Sequence, residues 1–224
     1  MMTPDVDSSG GAPALPRRFA PLRLLYRTLL RPRRTRRIGE LLAPLLPASG
    51  TILDVGCGDG HLTAHLRALR PELSFVGVDV LGHSRGDLEI HAYEGGRLPF
   101  DDASFDAVLL CAVLHHLDDP AALLAEARRV ARREIILLDH RADRRRDHLA
   151  LRVIDWPGNV PFGVYTPYNF LSTAEWRDLF ARLDLRVDRF EGRIGLFGGG
   201  PLERVFGGEL HFTCRLSVPE GRAP

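Results

Sequence analysis

The strongest indication of the fold is an eleven-residue segment, Ile52-Leu-Asp-Val-Gly-Cys-Gly-Asp-Gly-His-Leu62. A short run of aliphatic and β-branched residues contains Asp54, and glycines then occupy the alternate positions 56, 58 and 60 before a helical pattern begins. This order predicts a strand, a tight turn and the start of a helix. Glycine permits the sharp turn, and it lets a ligand approach bare backbone where the helix offers free N–H groups.

Strand and helix patterns alternate from this stretch onward. They predict strands at 51–55, 74–79, 88–91, 105–111, 134–139, 185–191 and 208–216, and helices at 60–69, 120–132 and 173–183. Such alternation favours a parallel, doubly wound sheet. Asp54, Asp79 and Asp139 each end a predicted strand, at the edge where open α/β sheets bind their ligands. We therefore expect the functional site at this edge.

The composition is that of a globular protein of 224 residues, with 45% hydrophobic and 26% charged residues. The formal net charge of +1 gives no general reason to expect nucleic acid or a membrane surface as a partner. Cys57, Cys111 and Cys214 match no metal-binding spacing, and they predict free thiols in a reducing cytoplasm. No apolar run approaches the roughly 20 residues of a membrane span. Residues 1–16 lack a signal-peptide core and predict a disordered tail.

Residues 17–48 form an arginine-rich extension for which we expect helices. Nine arginines and no acidic residue lie between Arg17 and Arg37. Pro21 and Pro32 are expected to bracket one helix, and a second is predicted at 35–46. Two interpretations of the arginines stay open: a solvated face on helices that cover the core, or a docking surface for an acidic carrier protein, a phosphorylated substrate or an anionic membrane.

Four segments in this order resemble the motifs of class I S-adenosylmethionine (SAM) dependent methyltransferases. They are the glycine turn, Ser74-Phe-Val-Gly-Val-Asp79, the stretch from Glu94 to Asp106, and Cys111-Ala-Val-Leu-His-His-Leu-Asp-Asp-Pro120. Dinucleotide-binding enzymes also use glycine turns, but their spacing is G-x-G-x-x-G rather than G-x-G-x-G, and Asp54 would repel a pyrophosphate. The resemblance implies a Rossmann-like, doubly wound, mostly parallel seven-stranded sheet with an antiparallel last strand, here preceded by N-terminal helices.

The resemblance also implies SAM as the cofactor and S-adenosyl-L-homocysteine (SAH) as the product. Asp79 would accept hydrogen bonds from the ribose hydroxyls, and Glu94 would accept one from the adenine amino group. Asp54 would suit the cationic amino-acid end of SAM. The cofactor-binding residues that we expect are Asp54, Gly56, Cys57, Gly58, Gly60, Asp79, Val80, Glu94, Gly95, Cys111 and His115. No cluster has the spacing of metal ligands, so no metal is expected.

Two histidines are candidates for catalysis. His140 follows Asp139 at the predicted end of a strand, and His116 lies in the loop after the fourth strand. Histidine has a pKa near neutrality, which suits a general base that deprotonates the methyl acceptor. The structural alternatives are that His140 caps the following loop and that the histidines at 115 and 116 serve packing and hydrogen bonding.

The segment 141–172 interrupts the alternating pattern. It is rich in arginine at first and then in aromatic residues and prolines, and we expect a lid-like insertion without regular structure. Its aromatic, amide and acidic side chains suit a pocket for a flat or lipophilic substrate, although aromatic packing over the sheet is an alternative. The pocket residues that we expect are Asp155, Trp156, Asn159, Tyr165, Tyr168 and Asn169.

Together these features predict a SAM-binding methyltransferase domain at 49–218 in a cytoplasmic enzyme. Its acceptor would be a small molecule, including a carrier-bound or lipid-like one. Two alternatives remain. One is a non-methylating protein of the same fold, either a regulatory SAM-binding module or a SAM-assisted cyclase. The other is an RNA methyltransferase, which the small size and the lack of a nucleic-acid-binding module disfavour.

Overall fold

The computed structural model describes residues 17–80, 88–197, 199, 200, 203, 206 and 209–219. The tail expected at 1–16 lies outside the described residues. Seven described strands form one sheet: β1 (Gly50–Val55), β2 (Leu73–Asp79), β3 (Ile90–Ala92), β4 (Phe105–Cys111), β5 (Ala131–His140), β6 (Arg186–Glu191) and β7 (His211–Ser217).

The strands are arranged in the order β3-β2-β1-β4-β5-β7-β6. Strands β1 to β5 pair in parallel, whereas β7 runs antiparallel to both β5 and β6. The doubly wound, mostly parallel sheet with an antiparallel last strand is thereby confirmed. The chain changes direction across the sheet between β1 and β4, which is where such sheets leave a crevice at their carboxyl edge.

Six described α-helices flank the sheet: α1 (Ala20–Leu25), α2 (Arg31–Leu42), α3 (His61–Leu69), α4 (Pro120–Val130), α5 (Arg145–Asn159) and α6 (Thr173–Arg182). Local sequence explains several of their starts. Asp119 caps α4 by accepting hydrogen bonds from two backbone N–H groups, and Pro120 occupies the first turn. Ser172 and Glu175 form a reciprocal capping box at the start of α6.

The core has one apolar cluster on each face of the sheet. Successive residues of a strand point to opposite faces, so Leu109 and Leu110 belong to different clusters. Trp176 of α6 packs in the cluster with Leu110. Leu42 of α2 is fully buried in the cluster with Leu109, so α2 covers part of one face of the sheet.

The predicted boundary between the N-terminal helices is wrong. Pro32 does not end the first helix, because the chain stays helical from α1 through a wide turn at Tyr26–Leu30 and into α2. Pro32 lies in the first turn of α2, where a missing N–H group costs little. The helix that the sequence placed at 35–46 therefore begins at Arg31.

The expected lack of regular structure at 141–172 is also wrong, because α5 occupies fifteen residues of this segment. Leu151 of α5 is fully buried in a small cluster with Phe170, which holds the helix against the end of the sheet. Pro157 and Gly158 both lie in the last turn of this helix. Residues 163–172 connect to α6 without helix or strand.

Candidate functional site

A cavity of about 370 Å³ lies at the carboxyl ends of β1 and β4. The glycine turn at 56–60 lines part of it, the helical chain from Tyr26 to Ile38 lines another part, and the end of α5 adds Gly158 and Asn159. Ligand pockets in proteins commonly have volumes of roughly 300–1,000 Å³. The cavity therefore lies where the sequence predicted the site.

The glycine turn needs glycine for two different reasons. Gly56, Gly58 and Gly60 all have positive φ, at 73°, 59° and 74°, a conformation that side chains disfavour. A Cβ atom added at Gly56 would lie 2.5 Å from Val113 Cγ2, so close packing excludes it. A Cβ atom added at Gly58 would meet no protein atom within 4 Å. The bare backbone of Gly58 thus faces the open cavity and is accessible to a ligand.

Two acidic side chains support this turn. Asp79 Oδ2 accepts a 2.8 Å hydrogen bond from the Gly58 N–H and ties the turn to the end of β2. Asp54 accepts a 2.6 Å bond from Thr63 Oγ1 and is 2% exposed. Burial raises the pKa of Asp54 to about 7, with the Thr63 bond opposing this shift and the charge of Asp79 adding to it. A cationic ligand group beside Asp54 would favour its ionised form.

The cavity is lined by some of the residues that the sequence predicts to bind the cofactor. Asp54, Gly56, Cys57, Gly58 and Cys111 line it, and Asp79 holds the turn. Gly60 precedes α3 and does not line the cavity. Val80, Glu94 and Gly95 are exposed and lie outside this lining, and residues 81–87, which follow Val80, are not described. His115 is 2% exposed and lies behind the cavity wall. The roles of these residues toward a cofactor stay predictions.

His115 is held between two buried carboxylates. Its Nδ1 lies 2.7 Å from Asp139 Oδ1, and its Nε2 lies 3.6 Å from Asp155 Oδ1. Burial would lower the pKa of His115, but Asp139 and Asp155 raise it to about 9. Burial would likewise raise the pKa of Asp139, which His115 and His140 hold well below its usual range. An imidazolium between two carboxylates is therefore the favoured charge state at neutral pH.

The two catalytic candidates do not line the cavity. His140 is 2% exposed, and its ring lies 4.1 Å from that of His115 between centroids. Burial and the charge of His115 lower the pKa of His140. His116 is half-buried with its Nδ1 3.0 Å from the Tyr165 carbonyl, and burial and His115 lower its pKa to about 4. Their catalytic role stays a prediction.

Part of the same cluster has the arrangement of a metal-binding site. Within the described residues, one ligand atom from each of His115, His140 and Asp155 lies within 4.8 Å of the other two. Such a group could hold a metal ion. Sequence spacing could not indicate it, because the three residues come from different elements.

The structure separates the expected pocket residues. Asn159 lines the cavity, and its amide donates a 2.7 Å bond to the buried Asp155. The other four residues contact surrounding elements. Trp156 packs edge-on against Phe19, and Tyr168 lies under the Arg152 guanidinium. Tyr165 donates a hydrogen bond to the Asp118 carboxylate, and Asn169 donates hydrogen bonds to the carbonyls of Leu117 and Asp118.

Sequence reasoning missed the N-terminal lining of the cavity. Tyr26, Arg27, Arg31 and Arg34 lie on it, and Arg31 forms an ion pair with Asp59 in the glycine turn. The spacing of the three arginines, i, i+4 and i+7, places them on one helix face and was the available signal. A helix that ends at Pro32, as the sequence predicts, separates Arg34 from Arg27 and Arg31, so the shared face is not apparent from the sequence.

The other arginines of α2 point elsewhere. Arg37 donates to the carbonyls of Ile194 and Gly195 at 3.0 and 2.9 Å, and Arg36 pairs with Glu40 on the exposed side. The arginines of this segment therefore point in several directions, and both interpretations of their role stay predictions. Nowhere in the described part of the chain does a helix have both the length and the apolar character needed to cross a membrane.

Comparison with known proteins gives a consistent result. Residues 26–189 match a family model described as a methyltransferase domain. The chain is 31% identical over 168 residues to the bifunctional methionine biosynthesis protein MetXA/MetW of Rhodopirellula baltica, which covers 66% of this chain and 27% of that protein. It is 39% identical over 90 residues to the malonyl-(acyl-carrier protein) O-methyltransferase of Hahella chejuensis, which covers 36% of this chain and 32% of that protein.

The fold has solved counterparts. A SAM-dependent methyltransferase from Aquifex aeolicus superimposes with a TM-score of 0.58 at 17% identity, covering 89% of this chain and 97% of that one. The two curated relatives are much longer than their matched parts, since the chain spans about a third or less of each.

Proposed function

The chain belongs to the class I SAM-dependent methyltransferases, and from this premise we propose that it transfers a methyl group from SAM to a small-molecule acceptor. The observation that carries the proposal is Gly58, whose bare backbone faces an open cavity beside the carboxylates of Asp54 and Asp79. These groups fit a ligand with a cationic amino acid at one end and ribose hydroxyls at the other. When bound, SAM supplies an electrophilic methyl group on a sulfonium.

In this proposal, the side chains and backbone of the protein bind the cofactor and orient it toward the acceptor. Asp54 holds the ammonium group, the Gly56–Gly60 turn receives the cofactor without a side chain in the way, and Asp79 fixes the turn. The wall from Tyr26 to Ile38 and the side chain of Phe162 line the cavity and would limit how the ligands can lie in it. Alignment of two reactants in one cavity contributes much of the rate enhancement when a cofactor carries the reactive group.

The histidine cluster has a positioning role in this proposal. Asp139 Oδ2 accepts a 3.0 Å bond from the Leu114 N–H, while Asp139 Oδ1 faces His115. Asp139 thereby fixes the loop that follows Cys111, a residue that lines the cavity. His140, or His116 as the second candidate, is proposed to take the proton from a hydroxyl or acidic-carbon acceptor.

The acceptor is a finer part of the proposal. The relative from Hahella chejuensis is named for a malonyl group on an acyl carrier protein, which supports a carrier-bound acceptor as one option for this chain. The proposal also includes lipid-like acceptors and a cytoplasmic location.

Two measurements test the proposal. Calorimetry should show that the purified protein binds SAM and SAH, and that it does not prefer NADH. A screen of candidate acceptors should then detect SAH formed in proportion to methylated product. Failure to bind either SAM or SAH contradicts the proposal. Binding without SAH formation on any acceptor would support the non-methylating alternative instead.

A further inference from the structure

Three guanidinium groups share the helical wall of the cavity. Arg27, Arg31 and Arg34 all line it, and their spacing places them on one face of the helical chain that runs from α1 into α2. The neighbouring Arg33 bonds the Leu29 carbonyl, and Arg36 pairs with Glu40 away from the cavity. The arginines of this segment therefore point in different directions, and three of them face the cavity.

Only one of the three has a carboxylate partner among the described residues. Arg31 pairs with Asp59. Arg34 contacts the Tyr26 hydroxyl at 3.5 Å, and Arg27 lies over the Phe162 ring with 5.3 Å between Cζ and the ring centroid. Asp155 lies near enough to favour the charged form of Arg34, but its carboxylate already faces His115 and accepts from Asn159. Arg34, which is partly buried, and Arg27, which is exposed, therefore face the cavity without a carboxylate partner among the described residues.

The proposed cofactor does not remove this excess. SAM carries one carboxylate against a sulfonium and an ammonium group, so its net charge is also positive, and Asp54, which lines the same cavity, would offset only the ammonium group. Even if its carboxylate met one guanidinium, the sulfonium would lie in a cavity with further cationic side chains. Charges that share a partly buried site need counter-charges, because water screens them poorly there. The missing counter-charge must come from the other ligand.

We propose that the methyl acceptor carries a carboxylate or phosphate group, which Arg27 and Arg34 bind within the cavity. Arginine suits this role because its planar fork donates two parallel hydrogen bonds to either anion. The Tyr26 hydroxyl, already next to Arg34, can donate a further bond. This inference deepens the proposed function and rests on it, since it concerns the acceptor of the same site.

The test uses the full chain saturated with SAH, which occupies the cofactor site with its own carboxylate. Inorganic pyrophosphate, succinate and the neutral dimethyl succinate are then titrated by calorimetry at constant ionic strength. We expect saturable binding of at least one anion and none of the diester. Binding of pyrophosphate alone indicates a phosphorylated acceptor, and binding of succinate alone indicates a carboxylate.

Substitutions locate the binding. Arg27→Gln and Arg34→Gln should each weaken anion binding about tenfold or more, as expected for loss of a charge-assisted bond. SAH affinity should change by less than about twofold, because in this inference neither guanidinium binds the cofactor's carboxylate. The matched control Arg36→Gln removes the same charge from the same helix but outside the cavity, and it should keep anion binding. If circular dichroism shows that Arg34→Gln does not fold, the exposed Arg27→Gln variant decides.

Several outcomes overturn the inference. They are the absence of anion binding by the SAH-loaded protein, equal losses in Arg36→Gln and Arg27→Gln, and a loss of SAH rather than anion affinity in Arg34→Gln. The last would assign Arg34 to the cofactor. If the wild-type protein binds neither SAM nor SAH, the proposed function fails; if it binds SAH but no anion, only this inference fails.

Discussion

The carboxyl group of Asp54 is almost inaccessible to solvent, yet it borders the cavity. Its exposed fraction is 2%, and burial raises its pKa to about 7, so it is only partly ionised near neutral pH. A ligand ammonium group would favour the ionised form, because opposite charges attract more strongly away from water. Ligand binding and proton release at Asp54 are therefore linked.

We expect the affinity for SAH to rise with pH up to about 7 and to level off above. Below this pH, binding must first remove a proton from Asp54, which costs about 1.4 kcal/mol for each pH unit. Calorimetry at several pH values around 7 measures this. In Asp54→Asn the affinity should be lower and should lose this pH dependence. A wild-type affinity that stays constant across the range contradicts the role of Asp54.

Gly58→Val should abolish SAM binding while the protein stays folded. Its side chain would point into open cavity space rather than into the protein, and the positive φ adds strain of about 1–2 kcal/mol. Gly199→Val is the matched control, because Gly199 also has positive φ (94°) and no atom within 4 Å of an added Cβ, but it does not line the cavity. Calorimetry and thermal melting separate the two effects. Normal SAM binding by Gly58→Val would remove the glycine turn from the cofactor site.

His140→Ala should lower turnover and leave SAM affinity nearly unchanged, because His140 does not line the cavity. A general base contributes typically about 10²–10⁴-fold, and because the buried His140 would act through neighbouring groups, we expect a loss at the lower end of this range. His116→Ala serves for comparison, and both variants are measured by steady-state SAH formation and by calorimetry. Turnover equal to that of the wild type in His140→Ala would assign His140 to packing against His115 and shift the catalytic prediction to His116.

At the scale of elements, the His115 cluster joins three parts of the fold. His115 lies in the turn after β4, Asp139 at the end of β5, and Asp155 in α5. Their contacts therefore hold α5 to the sheet edge that carries the cavity. Breaking a buried ion pair by removing one partner is strongly destabilising, typically by about 3–5 kcal/mol.

The stability of the protein should fall as pH rises from about 6.5 to about 9. The folded-state pKa of His115 is raised to about 9 from an ordinary 6.5, so its contribution is fully present below 6.5 and is lost as pH rises through 9. The total effect is on the order of 3 kcal/mol. His140 and His211, whose pKa values are lowered, stay neutral in this window. Urea unfolding across the window measures the effect, and His115→Gln should flatten it; an equally steep loss in this variant would exclude His115 as the source.

Some elements could be predicted from the sequence because local chemistry specifies them. The apolar run ending at Val55 and the capping pair Ser172 and Glu175 need no tertiary information. Helix α5 was missed because its Pro157-Gly158 pair is typical of a loop, whereas burial of Leu151 favours the helix. The cavity arginines were missed because Pro32 was expected to end a helix, and only the assembled fold brings Arg31 to Asp59. Contacts between distant segments leave no mark in local spacing.

Considered over the whole molecule, the C-terminal half of α2 belongs to the core rather than to the surface. Ile38 and Leu42 are 5% and 0% exposed, and they share a cluster with Ile52 of β1 and Leu109 of β4. The segment that lines the cavity with arginine therefore also completes one apolar layer of the sheet. Its position at the site depends on this packing.

Leu42→Ala should destabilise the protein by about 2–5 kcal/mol, because it removes a fully buried side chain and leaves a void in this layer. Leu24→Ala is the matched control in the same helical segment, since Leu24 is 65% exposed, and it should change stability by less than about 0.5 kcal/mol. Chemical denaturation of both variants gives the comparison. Equal stability of the two variants would mean that α2 adds little to the core.

The burial of Leu42 also bears on how the chain is made. Helix α2 is synthesised before the residues it packs with, because its cluster includes Ala107 and Leu109 of β4 and Ile194, which come much later in the chain. Until β4 has emerged, Ile38 and Leu42 have no completed sheet to pack against. Nascent chains of this kind expose apolar surface during synthesis and depend on chaperones to avoid aggregation. The arginines that precede these apolar residues give the N-terminal segment a positive charge, which opposes association between nascent chains.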